Sequence, residues 1–82
     1  MYQLIYSDSA LKQLEKLEFS IRARIISTLE RIRIRPEVHI EKLVGRNEYK
    51  LKVGDYRIIL DLDRTNIRIL LIEIGHRKNI YY

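Results

Sequence analysis

The 82-residue chain has no cysteine, no tryptophan, one methionine, one proline, two histidines and three glycines. Without cysteine, disulfides and thiolate zinc or redox sites are excluded, and a reducing compartment is expected. His39 and His76 alone, with no cysteine, argue against a metal site. The glycines are too scattered to form a phosphate-cradling loop. No stretch of about eighteen apolar residues is present, so no transmembrane helix is expected. The N-terminus, MYQLIYSDSA, has no basic leader region and too short an apolar run for a signal peptide. These absences point to a soluble, cytoplasmic protein with no cofactor and no membrane partner.

What is present is charge. Sixteen Lys and Arg stand against eleven Asp and Glu, a net +5. The excess is spread through the chain, with eight bases and six acids in residues 1–45 and eight bases and five acids in residues 46–82. A folded basic domain attracts nucleic acid, anionic membrane or an acidic protein, and charge alone does not choose among them. The length suits one domain, residues 1–82, with no linker or repeat.

Tyr2 to Tyr6 reads as a first strand, and Ser7-Asp8-Ser9 as a helix cap. Ala10, Leu14 and Leu17 form one stripe, predicting a helix to about Leu17. Ser20 is expected to cap a second helix, whose face is Ile21, Ile25, Leu29 and Ile32, widened by Ile26. The arginines of that helix read first as a solvated surface. Pro36 ends it. Residues 37–46 read as an irregular connection, with Leu43 and Val44 as pins to the core and His39 exposed. Ile67 to Ile74 is a central strand by its continuous apolar character. The expected architecture is α+β, in the order β-α-α-β-β-β. A two-helix hairpin would pack on one face of a mainly antiparallel four-stranded sheet.

The hairpin EYKLKVGDYRIIL, Glu48 to Leu60, organises the rest. Tyr49, Leu51 and Val53 alternate with Glu48, Lys50 and Lys52, the period of a half-buried strand. Gly54-Asp55 suits a two-residue type II′ turn. That turn sets Lys52 opposite Arg57, so Lys50, Lys52 and Arg57 share the face left uncovered by the helices. Like charges opposed on a sheet cost about 0.2–1 kcal/mol, which a stability-only sequence would avoid. If Leu62 faces Ile67, then Arg57 faces Ile72, and Gly75-His76-Arg77 emerges beside the turn. Lys50, Lys52, Arg57, His76 and Arg77 are then expected to converge, with the tail tyrosines nearby.

Such a cluster suits phosphodiester chemistry. Guanidinium groups bind phosphate oxygens in pairs and stabilise charge that grows in the transition state. Tyr81 or Tyr82 offers a ring for base stacking. RNA carries its own 2′-OH nucleophile, so cleavage requires a base, an acid and charge stabilisation. Crowding by Lys50 and Arg57 would make Lys52 a better base. Asp61 and Asp63 are better assigned to the adjoining turn and Arg64 than to catalysis.

The stretch YKLKVGDYRIIL, the ending IGHRKNIY and the order of elements together resemble the RelE family of bacterial and archaeal toxins, within the RelE/ParE superfamily. The resemblance spans essentially the whole chain. It implies a toxin of a type II toxin-antitoxin system that enters the ribosomal A site and cuts mRNA without a metal, leaving a 2′,3′-cyclic phosphate and a 5′-OH. It assigns Lys50 and Lys52 to the family's lysine pair, with Lys52 as general base. Arg57 becomes the phosphate clamp, and Arg77 assists the leaving group. Tyr81 stacks on the mRNA base, with Tyr82 as rival, and Lys78 joins the RNA contacts. His76 falls where some relatives use a catalytic histidine. The implied partners are a RelB-like antitoxin, the ribosome and mRNA. A ParE-like toxin that blocks DNA gyrase through protein contacts is the other reading, although such sequences generally lack this Lys/Arg/Tyr set.

Overall fold

The computed structural model describes residues 1–80. The elements are β1 (Gln3–Tyr6), α1 (Asp8–Glu15), α2 (Phe19–Ile32), a short 3-10 turn (Pro36–Val38), β2 (Glu41–Lys42), β3 (Tyr49–Val53), β4 (Tyr56–Asp63) and β5 (Arg68–His76). The strands form one sheet in the order β1-β5-β4-β3-β2. β1 runs parallel to β5, and the other pairs are antiparallel. The expected α+β architecture is present, with one strand more than expected. Glu41 and Lys42 pair with Lys50 and Tyr49 at the sheet edge. Two residues are too few to show a period-two pattern, so this strand is silent in the sequence.

Ser7 caps α1. Its hydroxyl accepts the Ala10 N–H at 3.0 Å and donates to the Ile72 carbonyl at 2.9 Å. α1 closes at Glu15 rather than Leu17, with a last tight turn in which the Leu17 N–H reaches the Leu14 carbonyl. The chain needs those residues to reverse into α2. Glu18, not Ser20, is the N-cap of α2; Ser20 lies in the first turn and donates to the Glu18 carboxylate at 3.0 Å. Ile25, Leu29 and Ile32 are fully buried, while Ile26 points away from the stripe and is exposed.

The core joins Ala10 and Leu14 of α1, the α2 stripe, and Leu51, Val53, Ile58, Leu60, Ile69, Leu71 and Ile74 of the sheet. Each fully buried Ile or Leu contributes about 1.5–3 kcal/mol relative to exposure. Among the described residues no polar or charged side chain is buried. Leu43 is buried as expected, but against Ile59 and Ile80 on the second face of the sheet, and Val44 is fully exposed instead of pinning the loop.

The β3–β4 register is the one the turn dictates: Val53 faces Tyr56, Lys52 faces Arg57 and Leu51 faces Ile58. Gly54 has φ +59 and Asp55 a negative φ, as a type II′ turn requires. The β4–β5 register differs from expectation. Leu62 faces Ile69, and Arg57 faces Gly75. Two features produce the difference. The connecting loop extends to Ile67, which adopts the left-handed conformation with φ +54. Then Leu60 faces Leu71 while Ile59 faces Glu73, which leaves Ile72 as an unpaired bulge residue. The Ser7 hydroxyl satisfies the carbonyl of that bulge.

Asp63 anchors the loop. Its carboxylate accepts from the Asn66 side chain at 2.9 Å, Arg68 at 2.8 Å and the Asn66 N–H at 3.1 Å. The Asn66 amide first, and then Arg68, hold its pKa down at about 2. Its ion partner is thus Arg68 rather than Arg64, and Asp61 accepts from the Leu62 N–H at 2.8 Å.

Two outcomes follow from this loop. Asp63→Asn should lower stability near neutral pH. A depressed carboxylate stabilises the fold above its unfolded pKa, and the contribution fades as pH falls through about 2. Melting curves of wild type and variant should therefore converge in strong acid. At Ile67 the left-handed backbone favours asparagine, so Ile67→Asn should exceed Ile67→Ala in stability by about 1 kcal/mol. Equal denaturation midpoints would contradict it.

Candidate nucleic-acid interface

β3 alternates its side chains, so Leu51 and Val53 enter the core while Lys50 and Lys52 take the opposite face. Arg57 joins them across the ladder. Its Nη1 donates to the carbonyls of Gly54 and Tyr56, each at 3.0 Å, which folds the guanidinium over its own turn. The turn also holds Arg77. The Arg77 N–H donates to the Asp55 carbonyl at 2.8 Å, and its Nε stands 3.9 Å from the Asp55 carboxylate. Arg57 and Arg77, twenty residues apart in sequence by number, are thus tethered to one two-residue turn.

Glu41 is the residue that the sequence does not reveal. Its carboxylate oxygens lie 3.8 Å from both Lys50 Nζ and Lys52 Nζ. The crowding of cations expected from the sequence is therefore offset by a carboxylate. The Lys52–Glu41 pair is exposed, and pairs of this kind contribute only about 0.2–1 kcal/mol. The missing signal is the two-residue strand that carries it.

The second face is not bare. Ile80 returns onto it and is buried with Leu43 and Ile59. Gly75 makes room: a Cβ there would lie 2.9 Å from Ile80 Cγ1. The tail is thereby laid across the sheet beside the basic strip. Tyr81 and Tyr82 lie outside the described residues. Lys78 is exposed, and its N–H donates to His76 Nδ1 at 3.2 Å.

His76 does not join the lysines. It faces Tyr56, whose own side is that of Val53 and the core. The two rings meet edge to face with centroids 5.4 Å apart. The bulge at Ile72 decides this placement, because one extra residue moves every later side chain of β5 to the other face. Tyr6 is the described tyrosine with a raised pKa; burial first, then the nearby Glu30 carboxylate, keep it a phenol. Among the described residues no group of acidic or histidine side chains is arranged to hold a metal ion.

What the geometry assembles is a strip of lysine and arginine along one sheet face, ending at a turn, with a tail pinned alongside. Residues 4–81 match the family model described as ParE toxin of type II toxin-antitoxin system, parDE. The chain belongs to this family, within the RelE/ParE superfamily. Three solved structures show the likeness. The intact RelBE toxin-antitoxin complex of E. coli aligns with a TM-score of 0.80 at 26% identity, over 93% of this chain and 96% of that one. The RelB-RelE complex of Methanococcus jannaschii aligns at 0.75 and 27%, over 94% of each chain. The RelBE2 complex of Mycobacterium tuberculosis aligns at 0.86 over 93% of this chain and 98% of that one; at 19% identity it speaks for the fold. No curated protein matches the chain significantly.

A substitution at Gly75 tests the tail. Gly75→Ala should displace Ile80, expose Leu43 and Ile59, and cost about 1–2 kcal/mol of stability from the lost burial. Methyl resonances of Ile80 and Ile59 should move while those of Ile25 and Leu29 stay. Unshifted Ile80 methyls would show that the tail does not depend on this close approach.

Proposed function

We propose that this toxin is a ribosome-dependent, metal-independent endoribonuclease that cuts mRNA in the A site and so stops translation. The observation that carries the reading is the tethering of Arg57 and Arg77 to the Gly54-Asp55 turn beside Lys50 and Lys52. Four cations converge from three segments at the place where a phosphodiester would lie.

In this scheme Lys52 acts as the general base that takes the proton of the RNA 2′-OH. The 2′-oxygen attacks phosphorus and the bond to the 5′-oxygen breaks, giving a 2′,3′-cyclic phosphate. Arg57 and Lys50 hold the phosphate oxygens as charge accumulates on them. Such preorganised donors act on charge that develops in the transition state. Arg77 stabilises the departing 5′-oxygen by its charge, and that oxygen takes a proton from water to leave as a 5′-OH. Tyr81 is assigned to base stacking, with Tyr82 and Lys78 as further RNA contacts. His76, held against Tyr56, is given no part in this scheme. The ribosome supplies the orientation of the mRNA that so small a site lacks, and orientation alone removes a large part of a barrier. Action on ribosomes places the protein in the cytoplasm.

A RelB-like antitoxin is the proposed partner, because the E. coli and Methanococcus jannaschii relatives are RelB–RelE complexes. The second reading is a gyrase-blocking toxin. The family model supports it by its ParE description, whereas the Lys52, Arg57 and Arg77 set supports the nuclease.

The test is cleavage of mRNA on ribosomes carrying a defined A-site codon, mapped by primer extension. Wild type should make one cut within that codon. Arg57→Ala should lower the rate by about 100-fold or more with an unchanged fold, and Arg77→Ala should also lose cleavage. Full cleavage by Arg57→Ala would remove the site assignment. No cut by well-folded wild type, together with inhibition of gyrase, would establish the second reading.

A further inference from the structure

α2 carries a basic feature that the cleavage scheme leaves unused. Ser27, Thr28 and Arg31 lie three, four and seven positions after Arg24, which puts the four on one stripe of the helix. This stripe faces the turn end of β3. With Lys52, Val53 and Gly54 it lines a cleft of about 340 Å³. Three of its lining residues are cations and none is acidic.

The two arginines of this cleft differ from three others on the surface. Arg33, Arg46 and Arg68 each hold a carboxylate at 2.8 Å or less. Among the described residues Arg24 and Arg31 hold none. Arg24 also lies close to the turn. Its Nη1 occupies the space where a Cβ on Gly54 would come within 2.8 Å, so the guanidinium lies against the turn. The Thr28 hydroxyl donates to the Arg24 carbonyl at 2.8 Å, and Ser27 adds a second hydroxyl to the wall. Gathering guanidinium groups without a carboxylate is unfavourable in the free protein and favourable once a phosphate enters.

The cleft is continuous with the basic strip through Lys52, which belongs to both. β2 pairs only with Tyr49 and Lys50, so among the described residues no strand lies along the sheet edge beside Lys52 and Val53. We propose that this cleft binds a backbone phosphate of the RNA strand next to the one that reacts, carrying the strand from the sheet face round its edge onto α2. The proposal rests on the nuclease reading for its choice of RNA, and its chemistry is that of a phosphodiester held by Arg24, Arg31 and Lys52.

The experiment is binding of a fluorescently labelled short single-stranded RNA by the full chain, read by anisotropy from roughly 50 to 200 mM salt. Arg24→Gln/Arg31→Gln should weaken binding by roughly tenfold at the low end and reduce the salt slope by about 0.7 to 1.4. Arg35→Gln/Arg64→Gln removes the same charge elsewhere and should change both far less. Melting curves confirm that each variant is folded. Binding by the cleft variant equal to wild type, equal losses in the two double variants, or no RNA binding by wild type would each overturn the proposal. The same proteins are then assayed on programmed ribosomes. Cleft-dependent RNA binding without ribosomal cleavage would leave the cleft standing and remove the nuclease reading. Ribosomal cleavage with cleft-independent binding would do the reverse.

Discussion

The Gly54-Asp55 turn is the constraint on which the rest of the basic surface depends. Its two residues close β3 onto β4, and its backbone offers carbonyls outward rather than into the ladder. Arg57 takes the Gly54 carbonyl, Arg77 takes that of Asp55, and Arg24 lies flat against the missing side chain of Gly54. Three arginines from a strand, a tail and a helix are thereby placed by one piece of backbone. A turn one residue longer or shorter would set Arg57 against the core side of β3 and part it from Lys50 and Lys52. A side chain at position 54 would meet both a positive φ and the Arg24 guanidinium. The positive φ is what requires glycine there; the Arg24 guanidinium, at the end of a flexible side chain, would only have to move aside.

Most of the fold was legible because its signals are local. The β3–β4 register follows from a glycine-first turn and an alternating strand, both visible in thirteen residues. Ser7 as a cap and the Ile25, Leu29, Ile32 stripe are equally local. The β4–β5 register was not legible, because it depends on two irregularities that no glycine marks. Ile67 adopts a backbone conformation that β-branched residues rarely take. Ile72 bulges out within an apolar run that reads as regular. Together they move His76 away from the lysines and onto Tyr56, so the sequence overstates the convergence at that end of β5.

The candidate site was half legible for a related reason. Lys50, Lys52 and Arg57 lie within eight residues of one another by position, and their common face is a matter of parity. Glu41 sits in a two-residue strand whose pairing is decided by the loop after it, where the Leu43 N–H meets the Glu48 carbonyl at 3.0 Å. Ile80 is buried only because Gly75 leaves room, a relation between a strand and a tail that no periodicity shows. The α2 arginines read as a solvated surface until β3 is brought against them.

β5 lies between β1 and β4 and is the last strand in the chain. The first strand therefore has no hydrogen-bonding neighbour until the last one arrives, and α1 is docked largely through β5 as well. During synthesis residues 1–63 emerge as two helices, an unpaired β1 and the antiparallel strands β2, β3 and β4, which cannot be joined to β1 without β5. Only when residues through His76 have left the exit tunnel does the parallel pair form and the core shut. A partly made chain thus cannot carry the assembled basic surface, whose Arg77 comes later still. The assembled basic surface is thus acquired in one late, cooperative step, when β5 docks between β1 and β4.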